Sequence, residues 1–354
     1  MSDTADRLRN PDPPRARLAT LPTPLERGPA LPDCDGLGPE LWVKRDDLTG
    51  LGGGGNKARK LEFLCGAAVA EGARSLVTVG AAQSNHCRMT AAAGARLGLD
   101  VHLVLSGDRP EHLVGNQVLD ELFGAQLHHT GADDHHWGEL EIAREQLTDE
   151  LAADGHRPHS IPIGGSTPTG AIGYAVAFAE IVDQCAAAGF TPSTIVVTSS
   201  SGGTHAGLLA GRAAMIAAGD QSLDDAPDVV AVGVAKGVVI GLPDVAELAA
   251  ETLELLALPG TVTADDVHVD DRWLGEDYAI PTDAGDAAVR WGAQHGGLLL
   301  DRTYSGKGAS GLLGLAAEGR WTPDDRVVFV HTGGWPALFA AEGAPAAGSV
   351  PRSA

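Results

Sequence analysis

A lysine that follows four consecutive glycines is the residue of this chain best suited to covalent chemistry. Residues 52–57 read GGGGNK, and Lys57 opens an amphipathic helical pattern. Glycine lacks the Cβ that would keep a flat ligand away from the main chain, and the positive end of a helix disfavours a second positive charge on a lysine. A desolvated lysine in such a place can lose its proton and attack a carbonyl. A flexible turn followed by an ordinary surface lysine is the alternative that this segment leaves open.

A second candidate binding segment is rich in hydroxyls and glycine. Residues 198–204 read TSSSGGT, follow the apolar run at 194–198, and open an Ala/Leu-rich helical pattern. Successive amides, hydroxyls and the positive end of a helix can bind a dianion without Lys or Arg. The segment has neither the G-K-[ST] of a P-loop nor the G-x-G-x-x-G of a dinucleotide site. It therefore predicts a phosphate loop, with a plain strand-to-helix turn as the alternative.

Polar side chains also lie where other predicted strands end. Residues 83–86, QSNH, stand at a predicted helix N-terminus, where Ser84 or Asn85 could be no more than an N-cap. Two caps in one place are unnecessary, which favours a second role for one of them. Tyr278 and Tyr304 lie in loops, where a phenol can stack on a ring, donate a hydrogen bond or shuttle a proton. Partly buried packing residues are the alternative for both.

The elements that must position these residues alternate between two patterns. Short β-branched runs are followed by Ala-rich helical stretches, one of which is predicted at 85–97. This alternation predicts a parallel α/β sheet, whose ligands bind at the carboxyl ends of the strands. The chain has 354 residues, enough for about two domains. Residues 1–35 are predicted to be an extended arm, and residues 343–354 a peripheral tail. The predicted strands are 75–79, 101–105, 194–198, 229–234 and 327–330.

Composition narrows the classes of partner and compartment. Asp and Glu number 47 against 25 Lys and Arg, and the net charge of -22 argues against a nucleic-acid or anionic-membrane partner. The four cysteines form no C-x-x-C pair and no zinc-like cluster with histidine, so we expect no metal site and a reducing, cytoplasmic setting. We find no apolar signal segment and no apolar run that could span a bilayer, so the sequence predicts a soluble, unexported protein.

Together these features indicate a cofactor. They point to pyridoxal 5'-phosphate, which would use a lysine able to form an imine, a phosphate loop that needs no cation, and loop tyrosines, and which needs no metal ligands. Over roughly residues 41–339 the sequence resembles the fold-type II pyridoxal-phosphate enzymes, within them the D-cysteine desulfhydrase and 1-aminocyclopropane-1-carboxylate deaminase group. The motifs that carry the resemblance are KRDDL at 44–48, GGNKARKLE at 54–62, QSNH at 83–86, GGS at 164–166, SGGT at 201–204, YSGK at 304–307 and HTGG at 331–334.

The resemblance implies an architecture and a set of cofactor contacts. The fold would be the two-domain α/β fold similar to the tryptophan synthase β-chain, with parallel sheets and helices on both faces. A large domain would comprise residues 1–57 and 169–354, a small domain residues 58–168, and the protein would form a homodimer. Lys57 would form the imine and Asn85 would bind the ring oxygen of the cofactor. The remaining implied cofactor-binding residues are Ser201, Gly202, Gly203, Thr204 and Thr332.

The resemblance also implies residues that act on the substrate. Ser84 would hold the substrate carboxylate or take part in proton transfer, and Tyr278 and Tyr304 correspond to two active-site tyrosines. The sequence departs from the family at Tyr278, which is flanked by Asp277 and Ala279 where glycines are usual. A further departure is the tryptophan between the late Gly-Gly and Pro336, where a smaller residue is usual. The implied substrate-binding residues are Ser84, Asn85, His86, Gly165, Ser305 and Trp335.

Two positions favour one branch of the group. Ser305 and Thr332 resemble the desulfhydrases, since the deaminases usually have Glu and Leu there. A neutral hydroxyl near the pyridine nitrogen stabilises less carbanion charge than a carboxylate would, which suits expulsion of a good leaving group from Cβ. We therefore predict β-elimination, from D-cysteine to pyruvate, sulfide and ammonia. Cyclopropane-ring deamination, cysteate sulfo-lyase activity, a related biosynthetic lyase and a non-catalytic cofactor-binding protein remain alternatives.

The base that removes the α-proton is left open by the sequence. Lys57 is the first candidate once the substrate amine has replaced it, and Ser84 or Tyr304 would act instead on a substrate that presents its proton to the other face. Lys60, three residues beyond Lys57, is the second candidate for the reactive lysine, although a structural role suits it better.

Overall fold

Two β-sheets organise this chain, and one of them has six strands. The computed structural model describes residues 3–32, 34, 38–133, 137–222, 225–239, 241 and 243–340. The tail predicted from Gly343 lies outside these residues. The strands of the larger sheet, in spatial order, are β1 (Leu25–Arg27), β2 (Glu40–Lys44), β10 (Arg326–Val330), β7 (Thr194–Ser199), β8 (Asp228–Gly233) and β9 (His268–Asp270). Every neighbouring pair is parallel except β1 and β2.

The second sheet has four parallel strands. In spatial order they are β5 (Gln126–His129), β4 (Asp100–Leu105), β3 (Ser75–Gly80) and β6 (Pro158–Ile161). All five strands expected from the sequence occur, in β3, β4, β7, β8 and β10. The smaller sheet lies within residues 58–168 and the larger one outside them, while the domain boundaries themselves stay predictions.

Helices cover both faces of the larger sheet, as predicted. Neighbouring strand residues point to opposite faces. Accordingly Ile195 and Val197 lie in a core with α6, α7 and α9, whereas Val196 lies in a core with α10 and α11. The helices are α1 (Asp3–Arg9), α2 (Lys57–Ala70), α3 (Asn85–Leu97), α4 (Asn116–Leu122), α5 (Trp137–Ala153), α6 (Pro168–Ala187), α7 (Gly203–Ala217), α8 (Lys236–Val239), α9 (Val245–Leu256), α10 (Asp283–Gly296) and α11 (Ser305–Ala317). Within the described ranges no helix is long and apolar enough to cross a membrane.

The N-terminal segment departs from the extended, peripheral arm that we expected. It begins with α1, and Leu8 of that helix is fully buried in the core that contains α6 and α7. Leu18 is also buried, in the core of the smaller sheet. The expectation was wrong because a few apolar side chains among many Pro and Arg residues are enough to bind the segment to surfaces that the rest of the chain provides.

Helix α2 is held closely against α6, which fixes the position of its first residues. An added Cβ on Gly173 of α6 would collide with the carbonyl oxygen of Arg59 in α2. Glycine therefore lets the two helix backbones approach directly. Because Arg59 lies two residues beyond Lys57, this contact helps to place the lysine.

A buried ion cluster adds a second constraint on α2. The Arg59 guanidinium donates to both carboxylate oxygens of Asp46, each at 2.9 Å. It also donates to Glu180 of α6 at 2.7 and 3.0 Å. Lys44 donates to Glu180 at 2.5 Å, and the Tyr174 hydroxyl donates to Asp46 at 2.5 Å. Strand β2, the turn after it and two helices are thereby joined.

Candidate active site

A cavity of about 270 Å³ lies at the carboxyl ends of strands from both sheets. The smaller sheet contributes Gly80 and Ala81 at the end of β3, and the larger sheet contributes residues 198–202 after β7 and residues 332–333 after β10. This is the position predicted for the ligand of a parallel α/β fold. Lys57, Ser84, Asn85, His86, Ser201, Gly202, Thr204, Tyr278, Tyr304 and Thr332 all line the cavity.

Lys57 is the first residue of α2 and reaches the cavity. Its Nζ donates to the side-chain oxygen of Asn56 at 3.3 Å. Burial lowers its pKa to about 8, and the nearby Arg88 guanidinium contributes to the decrease. Lys57 is therefore desolvated, as the sequence led us to expect, and this desolvation is the main cause of its lowered pKa. About a tenth of the Lys57 amine is then uncharged at pH 7, and this is the form that attacks a carbonyl.

The glycine run before Lys57 has a defined backbone. All four glycines have positive φ, from 52° at Gly52 to 136° at Gly55. An added Cβ on Gly54 would collide with the carbonyl oxygen of Asp47. The Thr49 hydroxyl accepts from Gly55 N and donates to Gly55 O, each at 2.8 Å. These contacts make the segment a tight turn in which side chains are excluded.

The predicted phosphate loop connects β7 to α7. Gly202 has a φ of 77°, and α7 begins at Gly203. An added Cβ on Gly203 would lie 2.6 Å from Lys60 Nζ and 2.8 Å from Ser166 Oγ. Ser166 also donates to Ser201 Oγ at 2.8 Å. The loop therefore lies directly against the segment at 164–166 and the side chain of Lys60.

Lys60 has a defined position beneath this loop. Its Nζ donates to Gly164 O at 2.7 Å and to Ser166 Oγ at 3.0 Å. Burial, followed by the charge of Lys57, lowers its pKa well below the usual value. Sequence reasoning named Lys60 the second candidate for the reactive lysine, with a structural role as the better assignment, and missed its place at the loop. Its spacing of three from Lys57, on one helix face, was the available signal.

Ser84 and Asn85 both line the cavity, but only Ser84 caps the helix. Ser84 is the N-cap of α3, and its Oγ accepts from Cys87 N at 3.2 Å. Asn85 is the first helical residue, and its side-chain oxygen accepts from Asn116 Nδ2 at 2.9 Å and from Arg88 at 3.4 Å. One residue is the cap and the other is oriented by its neighbours, as the sequence argument required.

The hydrogen bonds of His86 define its tautomer. The Thr78 hydroxyl donates to Ile161 O at 2.8 Å, so its oxygen accepts from His86 Nε2 at 3.0 Å. The proton is on Nε2, and the buried Nδ1 has no hydrogen-bond partner among the described residues. Burial, followed by the charges of Lys57 and Lys60, lowers the His86 pKa well below its usual value. His86 is a neutral imidazole with one unused acceptor beside the cavity.

The two loop tyrosines meet at the cavity wall. The hydroxyls of Tyr278 and Tyr304 are hydrogen-bonded to each other, and the ring centroids are 5.8 Å apart. Trp137 packs edge-on against Tyr278 at 5.2 Å. Ala279 has a φ of 60°. This left-handed conformation costs a non-glycine residue about 1–2 kcal/mol. Alanine at this position is therefore less favourable for the backbone than the glycine that is usual in the family.

Three residues implied as substrate contacts lie away from the cavity surface. Ser305 is fully buried and donates to Asp301 Oδ1 at 2.6 Å. The Trp335 indole donates to Gly53 O at 2.7 Å and packs on the glycine run. An added Cβ on Gly165 would lie 3.1 Å from His86 Cε1, which places this glycine behind the imidazole. None of the three is among the residues that line the cavity.

Sequence reasoning missed several groups at the cavity. Trp137 and Asn56 line it, and the Asn56 side chain donates to Thr204 Oγ1 at 3.1 Å. The hydroxyls of Thr198 and Ser199 are buried and have no hydrogen-bond partner among the described residues. The sequence argument took residues 198–204 together as a phosphate loop, but the cofactor contacts implied by the resemblance began only at Ser201.

A buried carboxyl lies near Arg88, which in turn donates to Asn85. Neither carboxyl oxygen of Asp120 in α4 has a hydrogen-bond partner within the described part of the chain. Burial raises the pKa of Asp120 to about 8, against the lowering effect of the Arg88 charge. Asp120 is therefore mainly protonated at neutral pH.

This shift predicts a pH-dependent stability. The folded chain binds a proton at Asp120 that the unfolded chain, with an ordinary carboxyl pKa of about 4, releases, so stability should fall as pH rises from about 4 to about 8. Asp120→Asn should remove this contribution. Urea unfolding at several pH values should show the difference from wild type growing in favour of the variant towards pH 8. A constant difference would contradict the assignment.

Comparisons with known proteins place the chain in a family. The family described as "Pyridoxal-phosphate dependent enzyme" matches residues 16–333. This match covers well over half of the 354 residues, and the chain belongs to that family. Pyridoxal phosphate is its cofactor, as the sequence predicted, and the predicted fold class is confirmed.

Individual relatives are similar over nearly the whole chain. D-cysteine desulfhydrases of Salmonella choleraesuis (strain SC-B67) and Salmonella typhi are each 41% identical over 334 residues, covering 92% of this chain and 96% of those proteins. A crystal structure described as an ACC deaminase homologue has a TM-score of 0.81 and 35% identity, covering 96% of this chain and 97% of that one. The processed form of threonine deaminase isoform 2 from Solanum lycopersicum, at 18% identity and a TM-score of 0.59, covering 94% and 81%, shares the fold.

The residues at the cavity suit this cofactor. Ser201, Gly202 and Thr204 line the cavity where α7 begins, which offers hydroxyls and the positive end of a helix to a phosphate. The lowered pKa of Lys57, about 8, supplies the uncharged amine that a carbonyl needs. Within the described residues, His86 Nδ1 and the hydroxyls of Thr198 and Ser199 are buried without a hydrogen-bond partner, and all three residues line the cavity.

Proposed function

We propose that this chain catalyses β-elimination on D-cysteine and releases pyruvate, sulfide and ammonia. The observation that carries the proposal is the cavity that combines Lys57, Ser84 and the hydrogen-bonded pair of Tyr278 and Tyr304 beside the loop at 201–204. The likeness to proteins named D-cysteine desulfhydrase supports the choice of substrate.

Within this proposal the cofactor is held by the start of α7 and by Lys57. Ser201, Gly202, Gly203 and Thr204 bind the phosphate through amides and hydroxyls, with Lys60 beneath them. Asn85, oriented by Asn116 at 2.9 Å, binds the ring oxygen. When bound, pyridoxal phosphate supplies an electron sink that acidifies the α-proton of an amino acid.

Proton transfer is assigned to groups already at the cavity surface. The Lys57 amine, with a pKa of about 8, can accept the α-proton near neutral pH once the substrate amine has replaced it at the cofactor. The Ser84 Oγ accepts a hydrogen bond from Cys87 N and can bind the substrate carboxylate. It is also an alternative to Lys57 as the base. The Tyr278 and Tyr304 hydroxyls can pass a proton between them and donate it to the departing sulfur.

A second candidate function is opening of the cyclopropane ring of 1-aminocyclopropane-1-carboxylate. The similarity to the structure described as an ACC deaminase homologue favours it. Ser305 and Thr332 count against it, because neutral hydroxyls near the pyridine nitrogen stabilise less charge than a carboxylate. The Ser305 hydroxyl moreover donates a hydrogen bond to Asp301 Oδ1 at 2.6 Å.

A product assay separates these functions. Purified protein loaded with pyridoxal phosphate would be given D-cysteine, L-cysteine, cysteate or 1-aminocyclopropane-1-carboxylate, with detection of pyruvate, sulfide and 2-oxobutanoate. We expect pyruvate and sulfide from D-cysteine, with kcat/KM at least about tenfold above that for L-cysteine. Formation of 2-oxobutanoate alone would favour the deaminase. Pyruvate from cysteate alone would identify a sulfo-lyase, and no turnover by the loaded protein would contradict β-elimination.

Assembly and location form part of the proposal. We propose a homodimer, on the resemblance to this group of enzymes, and light scattering of the purified protein tests it. A cytoplasmic location is supported by the buried cysteines Cys65, Cys87 and Cys185, none of which is in a disulfide. Thiols of this kind suit a reducing compartment.

A further inference from the structure

We propose that Lys307 is a positioning residue that holds Tyr278 against Tyr304. The inference rests on the proposed function in one respect, that Tyr278 acts on the substrate. Lys307 lies in the first turn of α11, three residues beyond Tyr304, and its side chain is fully buried. It comes from the same helix start as one tyrosine and reaches the segment that carries the other.

The contacts of Lys307 go to the backbone of that segment. Its Nζ donates to Leu274 O at 2.7 Å and to Asp277 O at 3.0 Å. Residues 271–282 contain neither helix nor strand, so the position of Tyr278 depends on contacts of this kind. An amine that is bonded to two carbonyls of one loop constrains the loop at both points.

The chemistry of Lys307 favours a dedicated role over space filling. Burying an amine is costly unless it is hydrogen-bonded, and an apolar side chain would fill the same volume at a lower cost. Burial lowers the pKa of Lys307 to about 8, while the charges of Asp277 and Asp301 act to raise it. The bonds that offset the cost of burying this amine are the two that it makes to the segment that carries Tyr278.

The backbone after Tyr278 shows that the segment is constrained from outside. Ala279 has a φ of 60°, a conformation that alanine rarely adopts. Such a conformation persists where surrounding contacts hold it. Lys307 provides buried contacts on one side of Asp277, and Lys236 forms an ion pair with the Asp277 carboxylate on the exposed side.

The two lysines provide a matched pair of variants. Lys307→Met removes both buried bonds, whereas Lys236→Met removes an ion pair whose lysine is 62% exposed. We expect kcat/KM for the substrate turned over by the wild type to fall about 10- to 100-fold in Lys307→Met, since misplacing a catalytic group by about 1 Å has effects of this size. Lys236→Met should change it less than about threefold, as exposed ion pairs contribute little. Lys307→Arg, whose guanidinium carries several N–H donors, should restore part of the loss.

A double variant separates positioning from general destabilisation. If Lys307 acts by placing Tyr278, its loss should matter little once the Tyr278 hydroxyl is gone. Lys307→Met combined with Tyr278→Phe should therefore be about as active as the poorer of the two single variants. Multiplied losses in the double variant, or an unchanged kcat/KM in Lys307→Met, would overturn the inference.

Hydrogen exchange tests the same inference without activity. Peptides that cover residues 271–282 should exchange at least about tenfold faster in Lys307→Met than in wild type, while peptides from α10 and the later turns of α11 keep their protection. If Lys307→Met and wild type protected the 271–282 segment equally, the inference would be overturned, whether or not the protein acts on D-cysteine. Should Lys307→Met not fold, the same comparisons would be made with Lys307→Gln, whose shorter amide keeps N–H donors but carries no charge.

Discussion

Lys57→Ala should lower turnover about 10³-fold, the largest effect on activity that we expect. Lys57 supplies both the amine that binds the cofactor carbonyl and the first candidate for the α-proton base, and acid-base catalysis alone typically contributes about 10²- to 10⁴-fold. The variant should also lose the visible absorbance band of the loaded protein. Steady-state assays and absorbance spectra of wild type and variant measure both.

The identity of the reactive lysine can be checked directly. Borohydride treatment of the loaded wild type, followed by digestion and mass spectrometry, should place the reduced cofactor on Lys57. Lys60 is the competing position, although its Nζ is engaged by Gly164 O at 2.7 Å. Lys236→Ala, an exposed lysine, serves as the control and should keep the band. A cofactor attached to Lys60, or retained turnover in Lys57→Ala, would contradict the assignment.

Arg59→Met should produce the largest loss of stability. It leaves the fully buried Asp46 carboxylate without the guanidinium that donates to both of its oxygens at 2.9 Å. Breaking a buried ion pair in this way typically lowers the free energy of unfolding by about 3–5 kcal/mol. Because Arg59 lies two residues beyond Lys57, we also expect weaker cofactor binding.

An exposed pair of similar geometry is the natural control. Arg9 donates to both carboxylate oxygens of Asp183 at 2.7 Å, but the two side chains are 22% and 49% exposed. Arg9→Met should therefore cost about 0–1 kcal/mol. Chemical unfolding of both variants measures the contrast, and similar losses would show that burial does not govern the contribution of the Arg59 cluster.

The Arg59 cluster also predicts a pH dependence of defined sign. Burial by itself raises the Asp46 pKa, but Arg59 more than reverses this and holds it below the usual value, and the same holds for Glu180. A depressed carboxyl pKa contributes stability that is present above about pH 4 and is lost as pH falls through the folded-state value. The difference between wild type and Arg59→Met should therefore shrink from pH 7 towards pH 3. A difference that stays constant would argue against this origin.

Local sequence patterns predicted the strands and the glycine-rich turns well. Runs of β-branched residues identified β3, β4, β7, β8 and β10, since side-chain preference and burial act over a few residues. The predicted helix at 85–97 coincides with α3. Glycine runs marked both the turn before Lys57 and the start of α7, because a backbone without Cβ is required where other atoms lie within contact distance. Parallel topology then placed these segments at one cavity.

Contacts between distant segments had no local signal. Tyr278 and Tyr304 are 26 residues apart, and Arg59 and Glu180 are 121 apart, so their partners depend on packing of α2, α6 and the segment before α10. Motif position likewise did not determine side-chain direction, since Ser305 turns towards Asp301 and Trp335 towards Gly53. The sequence by itself determined which chemical groups stand at the strand ends. The tertiary structure decided which of them share a cavity and how far burial shifts their pKa values, because both depend on atoms contributed by remote parts of the chain.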